Sequence, residues 1–263
     1  MRFVVAALLA LACLSGCGEA TGEDSASSFP AAPEGSRWVG YGQVVVAVPD
    51  WWTTGETQCL APVEDTVYFD SAATVDCQDP PAPSTVREVS ALAVLDATRG
   101  YAENEVRSME PIAEASGREV VERSGCEEWF PGVCRHLFAV PSEGVAFAVT
   151  IAESGDGDYE TIRDSLRILP DGLTTVPLEI YGPSGWTPTW GADPLAVTVL
   201  VEAIESAGLR VETTTLERAD GGDLAAGLVP GSLLDVEPQL GSVIEVGGTV
   251  TLTVAGESFD AGS

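Results

Sequence analysis

The chain has no lysine and a single histidine, His136, in 263 residues. Its cations are twelve arginines set against 41 acidic residues, a formal charge of −29. A nucleic-acid-binding protein needs a stripe of Lys and Arg, and no such stripe is present. A surface this acidic repels nucleic acid and anionic lipid headgroups alike. The signatures of common enzymes are also missing. The nearest approach to G-x-S-x-G is Gly182-Pro183-Ser184-Gly185-Trp186, where tryptophan stands in place of the last glycine. There is no H-E-x-x-H, no phosphate-binding loop and no G-x-G-x-x-G. No apolar run reaches the ~20 residues that a membrane-spanning helix needs.

What is present begins at the N-terminus. Met1-Arg2 leads into the apolar run Phe3–Leu14, followed by Ser15-Gly16-Cys17. A charged start, a short apolar segment and small residues form the layout of a secretory signal. The Leu14-Ser15-Gly16-Cys17 ending resembles a bacterial lipobox. That resemblance implies removal of residues 1–16 and a covalent lipid on Cys17, with two or more acyl chains making a stable anchor. The expected location is therefore exported, lipid-anchored to the outer face of the cell membrane. Residues 17–36 carry the lipidated cysteine and then a small, polar, Pro-punctuated stretch, GEATGEDSASSFPAAPEGS. It reads as a flexible tether with an r.m.s. span on the order of 25 Å.

Hydrophobic residues make up 45% of the chain, which places the remainder among globular proteins rather than disordered ones. Cys13 leaves with the signal, so Cys59, Cys77, Cys126 and Cys134 remain to be assigned. Four cysteines in an exported chain imply a disulfide framework. Three pairings are open; the sequential one, 59–77 and 126–134, closes two short loops, each contributing about 2–3 kcal/mol in the chain-entropy model. A zinc site is disfavoured because none of these four has C-x₂₋₄-C spacing.

Two domains are expected, both α+β. Residues 37–170 read as a disulfide-stapled antiparallel sheet with packed helices. Strands are expected at Gln43–Pro49, Thr66–Asp70, Val86–Leu95, Glu119–Arg123, Arg135–Val140 and Val145–Ile151. Asp79–Ser84 reads as a loop and Pro141–Gly144 as a turn. Tyr101–Met109 has helical spacing and Pro111 is placed to end it. A last helix starts near Asp158, with Tyr159, Ile162, Leu166 and Leu169 on one stripe and Pro170 as its stop. The strand into Val48-Pro49-Asp50-Trp51-Trp52 and the closing Ile162–Pro170 segment faintly resemble PsbP/Mog1-type α/β/α sandwiches.

In residues 171–256, Asp193-Pro194 starts a helix with Ala196, Leu200, Ala203 and Ala207 on one face, and Gly208 follows it. Leu209–Leu216 and Ser232–Val236 read as strands, Gly247-Gly248 as a hairpin turn, and Thr249–Val254 as an alternating strand. Val176-Pro177, Ala207-Gly208-Leu209, Gly231-Ser232, Pro238-Gln239-Leu240-Gly241 and the Gly247 to Val254 pattern together resemble a PASTA domain. The inserted stretch Gly185–Ala192, with Trp186 and Trp190, departs from that family's pattern. Residues 257–263 read as a disordered tail. The resemblance implies a helix-plus-sheet fold and one of two roles, binding or sensing peptidoglycan or serving as a spacer.

Among candidate contact residues, Trp129 and Phe130 sit inside the Cys126–Cys134 loop, and Trp186 and Trp190 flank Pro188. Each pair can stack on a ligand, although aromatics more often cover an apolar edge. His136 can act as a base, yet a lone histidine is more often structural. Glu127-Glu128 are adjacent, so in an extended loop their side chains diverge and make a poor glycosidase pair. Asp156-Gly157-Asp158 is a fragment of a calcium-loop pattern lacking its closing glutamate. No cofactor is expected beyond the lipid on Cys17; weak calcium binding by the acidic surface is the nearest exception. No catalytic residue and no metal ligand is assigned.

The sequence therefore reads as a non-enzymatic, membrane-anchored envelope lipoprotein that binds or senses peptidoglycan through its PASTA-like domain. Its partners are the membrane, through the lipid, and peptidoglycan or another envelope protein; nucleic acid is excluded. Two alternatives remain open: an envelope hydrolase with its active site in 37–170, and a client-binding or assembly factor using the Trp129-Phe130 loop. The lipobox reading makes a direct prediction. Cys17→Ala abolishes metabolic labelling by fatty acid and moves the protein from the membrane fraction to the soluble one; unchanged fractionation contradicts it.

Overall fold

The computed structural model describes residues 29–55, 57–58, 61–70, 82–98, 100–130, 132–152, 159–178, 194–217 and 228–260. In chain order, β1 (Ser36–Tyr41) and β2 (Val44–Pro49) form a hairpin, followed by the short β3 (Thr53–Thr54), β4 (Thr57–Gln58) and β5 (Ala61–Pro62). Next come β6 (Thr66–Asp70), α1 (Pro83–Arg87), β7 (Ala91–Asp96), α2 (Gly100–Val106), β8 (Glu110–Ala115) and β9 (Arg118–Glu122). They are followed by β10 (Glu127–Phe130), β11 (Val133–Val140), β12 (Val145–Thr150), α3 (Tyr159–Asp164), β13 (Arg167–Ile168) and β14 (Leu173–Thr175). The last part holds α4 (Pro194–Ser206), β15 (Arg210–Leu216), β16 (Leu233–Glu237), β17 (Val243–Glu245) and β18 (Thr249–Ala255).

The largest layer is an eight-stranded sheet ordered β3-β6-β7-β12-β11-β9-β8, with β10 also paired to β11. Its strands explain their own sequences. Odd and even residues go to opposite faces, and here both faces are covered, so Ala91–Leu95 and Val145–Val149 read as continuous apolar runs. One face carries the large side chains Val67, Phe69, Leu92, Val94, Phe138, Val140, Phe147 and Val149. These pack in one cluster with Val39, Val44, Val46 and Val48 of the β1-β2-β13 sheet. The opposite face is mostly alanine: Ala91, Ala93, Ala139, Ala146 and Ala148. Short side chains there let α2 come close and seat Ala102, with Tyr101 and Val106 at the margin.

The α+β class is therefore corrected. Strand accounts for 46% of the described residues and helix for 20%, so the architecture is mainly β. The physical reason is that the large-residue face of the main sheet is covered by a second sheet. Among the described residues, the α-helices before residue 170 have five, seven and six residues, too short to form that cover.

Several local expectations shift for identifiable reasons. The expected strand Val86–Leu95 is split. Pro83 takes the first turn of α1, which buries Val86, and the strand begins only at Ala91. Tyr101–Met109 is helical only to Val106, and Pro111 lies in β8, an edge strand, where a missing N–H is tolerated. The helix carrying Tyr159 and Ile162 ends at Asp164. Leu166 and Leu169 are buried as predicted, but from the segment around β13, where the Leu169 N–H donates to the Gln43 carbonyl (2.7 Å).

In the C-terminal part, α4 starts at Pro194 and buries Ala196, Leu200 and Ile204; Ala203 and Ala207 are only half-buried. It lies on the β15-β18-β16 sheet, whose Val250 and Leu252 are fully buried, as the alternation of β18 demands. Gly247-Gly248 is a turn but joins no hairpin. β17 pairs with β14, whereas β18 pairs with β15 and β16, so the turn passes the chain from one sheet to another.

The two parts share one core. Val39, Val44, Val176, Leu178, Leu200, Leu240 and Leu252 belong to a single buried cluster. At its centre the Gly40 N–H donates to the Gly241 carbonyl (3.0 Å) and the Gly241 N–H to that of Val176 (2.7 Å). Both glycines are required by space. A Cβ on Gly40 would meet the Val44 carbonyl oxygen at 1.9 Å, and one on Gly241 would meet Val39 Cγ2 at 2.6 Å. Gly241 also has φ +78°, the left-handed region that glycine alone adopts readily. The chain leading into β1 is held too: Phe29 packs on Trp38 at 5.3 Å, and Trp38 Nε1 donates to the Pro30 carbonyl.

Candidate functional site

Strand β11 carries most of the chemistry in the main sheet, because its neighbouring residues Arg135 and His136 face opposite sides. Arg135 belongs to the alanine face and is 4% exposed, an unusual place for a guanidinium. It lies between two rings, 5.5 Å from the centroid of Tyr101 and 5.1 Å from that of Trp129. Asp70 is 3.6 Å from Nη1, Glu127 is 3.4 Å from Nη2, and Nε is buried without a partner. Burial pushes against the charge, but Tyr68, Tyr101 and Asp70 outweigh it and hold Arg135 above its ordinary value. The Tyr101 hydroxyl donates to Glu127 (2.5 Å); burial and that carboxylate push its pKa up to about 12. Arg123 completes the group, 2.6 Å from Glu105 and 3.4 Å from Glu127.

On the other face His136 stacks on Tyr159, with centroids 4.4 Å apart and planes 21° apart. The Tyr159 hydroxyl donates to Glu122, and Arg163 lies 3.3 Å from Glu122 and 5.5 Å from the Tyr159 centroid. Burial and then Glu122 push the Tyr159 hydroxyl well above its ordinary range. His136 Nε2 is 3.6 Å from Cys134 Sγ. Burial pushes the imidazole below its ordinary 6.5, and Glu122 opposes that in part.

A disulfide joins Cys126 to Cys134. Trp129, within that loop, is half-buried over Arg135 and packs beside Ala61, Val86 and Val133. Phe130 is in β10, but its side chain lies outside the described residues. Glu127 and Glu128 diverge as their adjacency requires: Glu127 turns to Tyr101 and Arg135, while exposed Glu128 accepts the Gly132 N–H at 3.0 Å. Cys17, Cys59, Cys77, Trp186, Trp190 and Asp156–Asp158 lie outside the described residues. Among the described residues no cluster of three or more His, Cys, Asp and Glu can hold a metal ion.

A cleft of about 220 Å³ lies where the two parts meet, lined by Thr53, Thr54, Leu234, Asp235, Val236, Gln239 and Leu240. Beneath Thr53 and Thr54, one Arg37 nitrogen, Nη2, donates to the Trp52 and Thr53 carbonyls and to Thr54 Oγ1 (3.1, 3.2 and 2.9 Å). Arg37 Nε and Nη1 are buried without partners, and burial lowers its pKa. Neither this cleft nor the Arg135 cluster follows from local pattern. The one visible hint is an arginine preceding the apolar run of β11.

The single histidine gives an unambiguous titration. A lowered pKa means that the folded protein binds fewer protons than the unfolded chain. The histidine's contribution is therefore intact above pH 6.5 and is lost progressively as pH falls from there through the lower pKa of the folded state. An imidazole NMR titration should give a pKa below 6.5, and Glu122→Gln should move it further down; a value above 6.5 contradicts the site's geometry. No family model, curated protein or solved structure matches this chain.

Proposed function

We propose that the protein is a lipid-anchored envelope protein that binds peptidoglycan rather than cleaving it, and that the binding site is the cleft between its two parts. The observation that carries this reading is the origin of the cleft's walls. Five of its seven lining residues, Leu234, Asp235, Val236, Gln239 and Leu240, come from the segment between Gly231-Ser232 and Gly241. That segment also carries much of the resemblance to PASTA domains, a family associated with peptidoglycan. The mixture of hydroxyl, carboxylate, amide and apolar groups suits a ligand that is polar at its edges and apolar at its ring and methyl faces.

Charge limits the mode of binding. Residues 171–263 carry Arg210 and Arg218 against fourteen acids. Carboxylates of the wall's stem peptides are repelled unless salt or divalent cations screen them. The affinity therefore rises with ionic strength or with calcium, the opposite of an electrostatically steered complex.

Because Val176, Leu178 and Leu240 are buried with Val39, the proper reagent is the whole soluble protein from residue 18, not its C-terminal part. That protein should co-sediment with purified peptidoglycan. The pair Asp235→Ala and Gln239→Ala should reduce the bound fraction about tenfold, with secondary structure unchanged. Absence of co-sedimentation at low and moderate salt, with and without calcium, contradicts the proposal.

A further inference from the structure

The disulfide Cys126–Cys134 closes a hairpin that is already held by other interactions. The β10-β11 ladder pairs Glu127 with Arg135, Glu128 with Cys134, and Phe130 with Val133. Glu128 accepts the Gly132 N–H across the turn, and buried Arg135 reaches both Glu127 and the Trp129 ring from beneath. The hairpin thus has a backbone ladder, an ion pair and a cation–π contact that do not depend on the S–S bond. As a staple the bond is largely redundant.

Its two sulfurs also differ. Cys126 is exposed and open to attack, whereas Cys134 is half-buried with His136 Nε2 3.6 Å from its Sγ. The Tyr159 ring from α3 stacks on that imidazole and Glu122 from β9 is the charge that acts on it; Arg163 contacts Glu122 and the Tyr159 ring. Burial lowers the imidazole's pKa and Glu122 opposes that only in part, so His136 rests neutral and able to take up a proton, while Tyr159 holds the ring in place. A thiol–disulfide centre needs this asymmetry: one accessible sulfur to be attacked, and one leaving sulfur whose thiolate is stabilised.

We propose that Cys126–Cys134 is a thiol-exchange centre, with Cys126 the attacked sulfur and Cys134 the leaving sulfur held beside His136. An external thiol ionises and its proton passes to His136. The thiolate forms a bond to Cys126 Sγ, the Cys126–Cys134 bond breaks, and its electron pair goes to Cys134 Sγ, a thiolate beside the imidazolium. A second external thiolate attacks the external sulfur of the mixed disulfide and releases the Cys126 thiolate, which takes that thiol's proton. Two thiols become one disulfide, and the protein disulfide becomes a dithiol. The reaction partner is a thiol-bearing compound. This inference does not depend on peptidoglycan binding and involves residues outside that cleft.

The test uses the oxidised soluble protein with reduced glutathione in one arm and a reduced, unfolded, cysteine-containing protein in the other. Cys126 and Cys134 are followed individually by alkylation and peptide mass spectrometry. His136→Phe keeps an aromatic ring on Tyr159 and removes the nitrogen; His136→Gln removes the stack as well. Both variants should slow opening of this disulfide about tenfold. Both should also raise the ionisation midpoint of reduced Cys134, read by alkylation rate against pH, from below about 8.5 to about 8.5. The trapped adduct should be on Cys126. Faster reaction in the glutathione arm marks small thiols as the partner class, and faster reaction in the other arm marks protein thiols. Equal opening rates and equal Cys134 midpoints in wild type and both variants overturn the proposal, as does an adduct found on Cys134.

Discussion

The structure depends on a backbone contact where β1 meets the loop after β16. Gly40 donates to Gly241, Gly241 donates to Val176, and Val39 fills the space that any Gly241 side chain would occupy. Around this point the valines of β1 and β2 meet Leu178 and Leu240, and the core continues to Leu200 and Leu252. Small mainly-β units bury a modest share of their surface on their own. Sharing a core lets the β15-β18-β16 sheet and α4 draw on the larger sheet's apolar surface. It also makes the cleft, because Thr53-Thr54 and residues 234–240 are held against each other by the same contact.

The main sheet then sets the chemistry by parity. Alternation along β11 sends Arg135 to the alanine face and His136 to the face of large residues. Arg135 finds aromatic rings and carboxylates supplied by α2, β6 and β10; His136 finds Tyr159, Arg163 and Glu122 supplied by α3 and β9. The chain therefore keeps several of its few cations partly or wholly buried among acids, while most acids remain in solvent. A net charge of −29 is tolerable because the surface acids are solvated and screened.

Periodicity made the long strands legible. Thr66–Asp70, Val145–Thr150 and β18 lie where alternation or apolar runs place them, and Pro194 opens α4 as its fixed φ favours. Fold class was not legible, because a run such as Ala91-Leu92-Ala93-Val94-Leu95 shows that both faces are covered without saying by what. A second sheet supplied the cover where helices were expected. α2 and α3 are shorter than their apolar spacing suggests for the same reason: Met109, Leu166 and Leu169 are buried at helix-like spacing from loop positions, the last two flanking β13. The candidate sites were least legible. Arg135 meets Asp70 and Tyr101 across 65 and 34 positions of sequence, and Thr54 meets the 234–240 segment only after the whole fold has formed. Such contacts arise from topology and leave no local pattern.

The central claim is that one core binds the two parts into a single cooperative unit. Native-state hydrogen exchange on the amides of β2 and β18 tests it most directly, in the wild type and in Gly241→Ala. One unit requires both sets to exchange through the same global opening. Crowding at Val39 and the left-handed φ together should lower both opening energies equally in the variant, by about 2–4 kcal/mol. Exchange of the β18 amides through a separate, lower opening, with β2 unaffected by the substitution, would contradict the account.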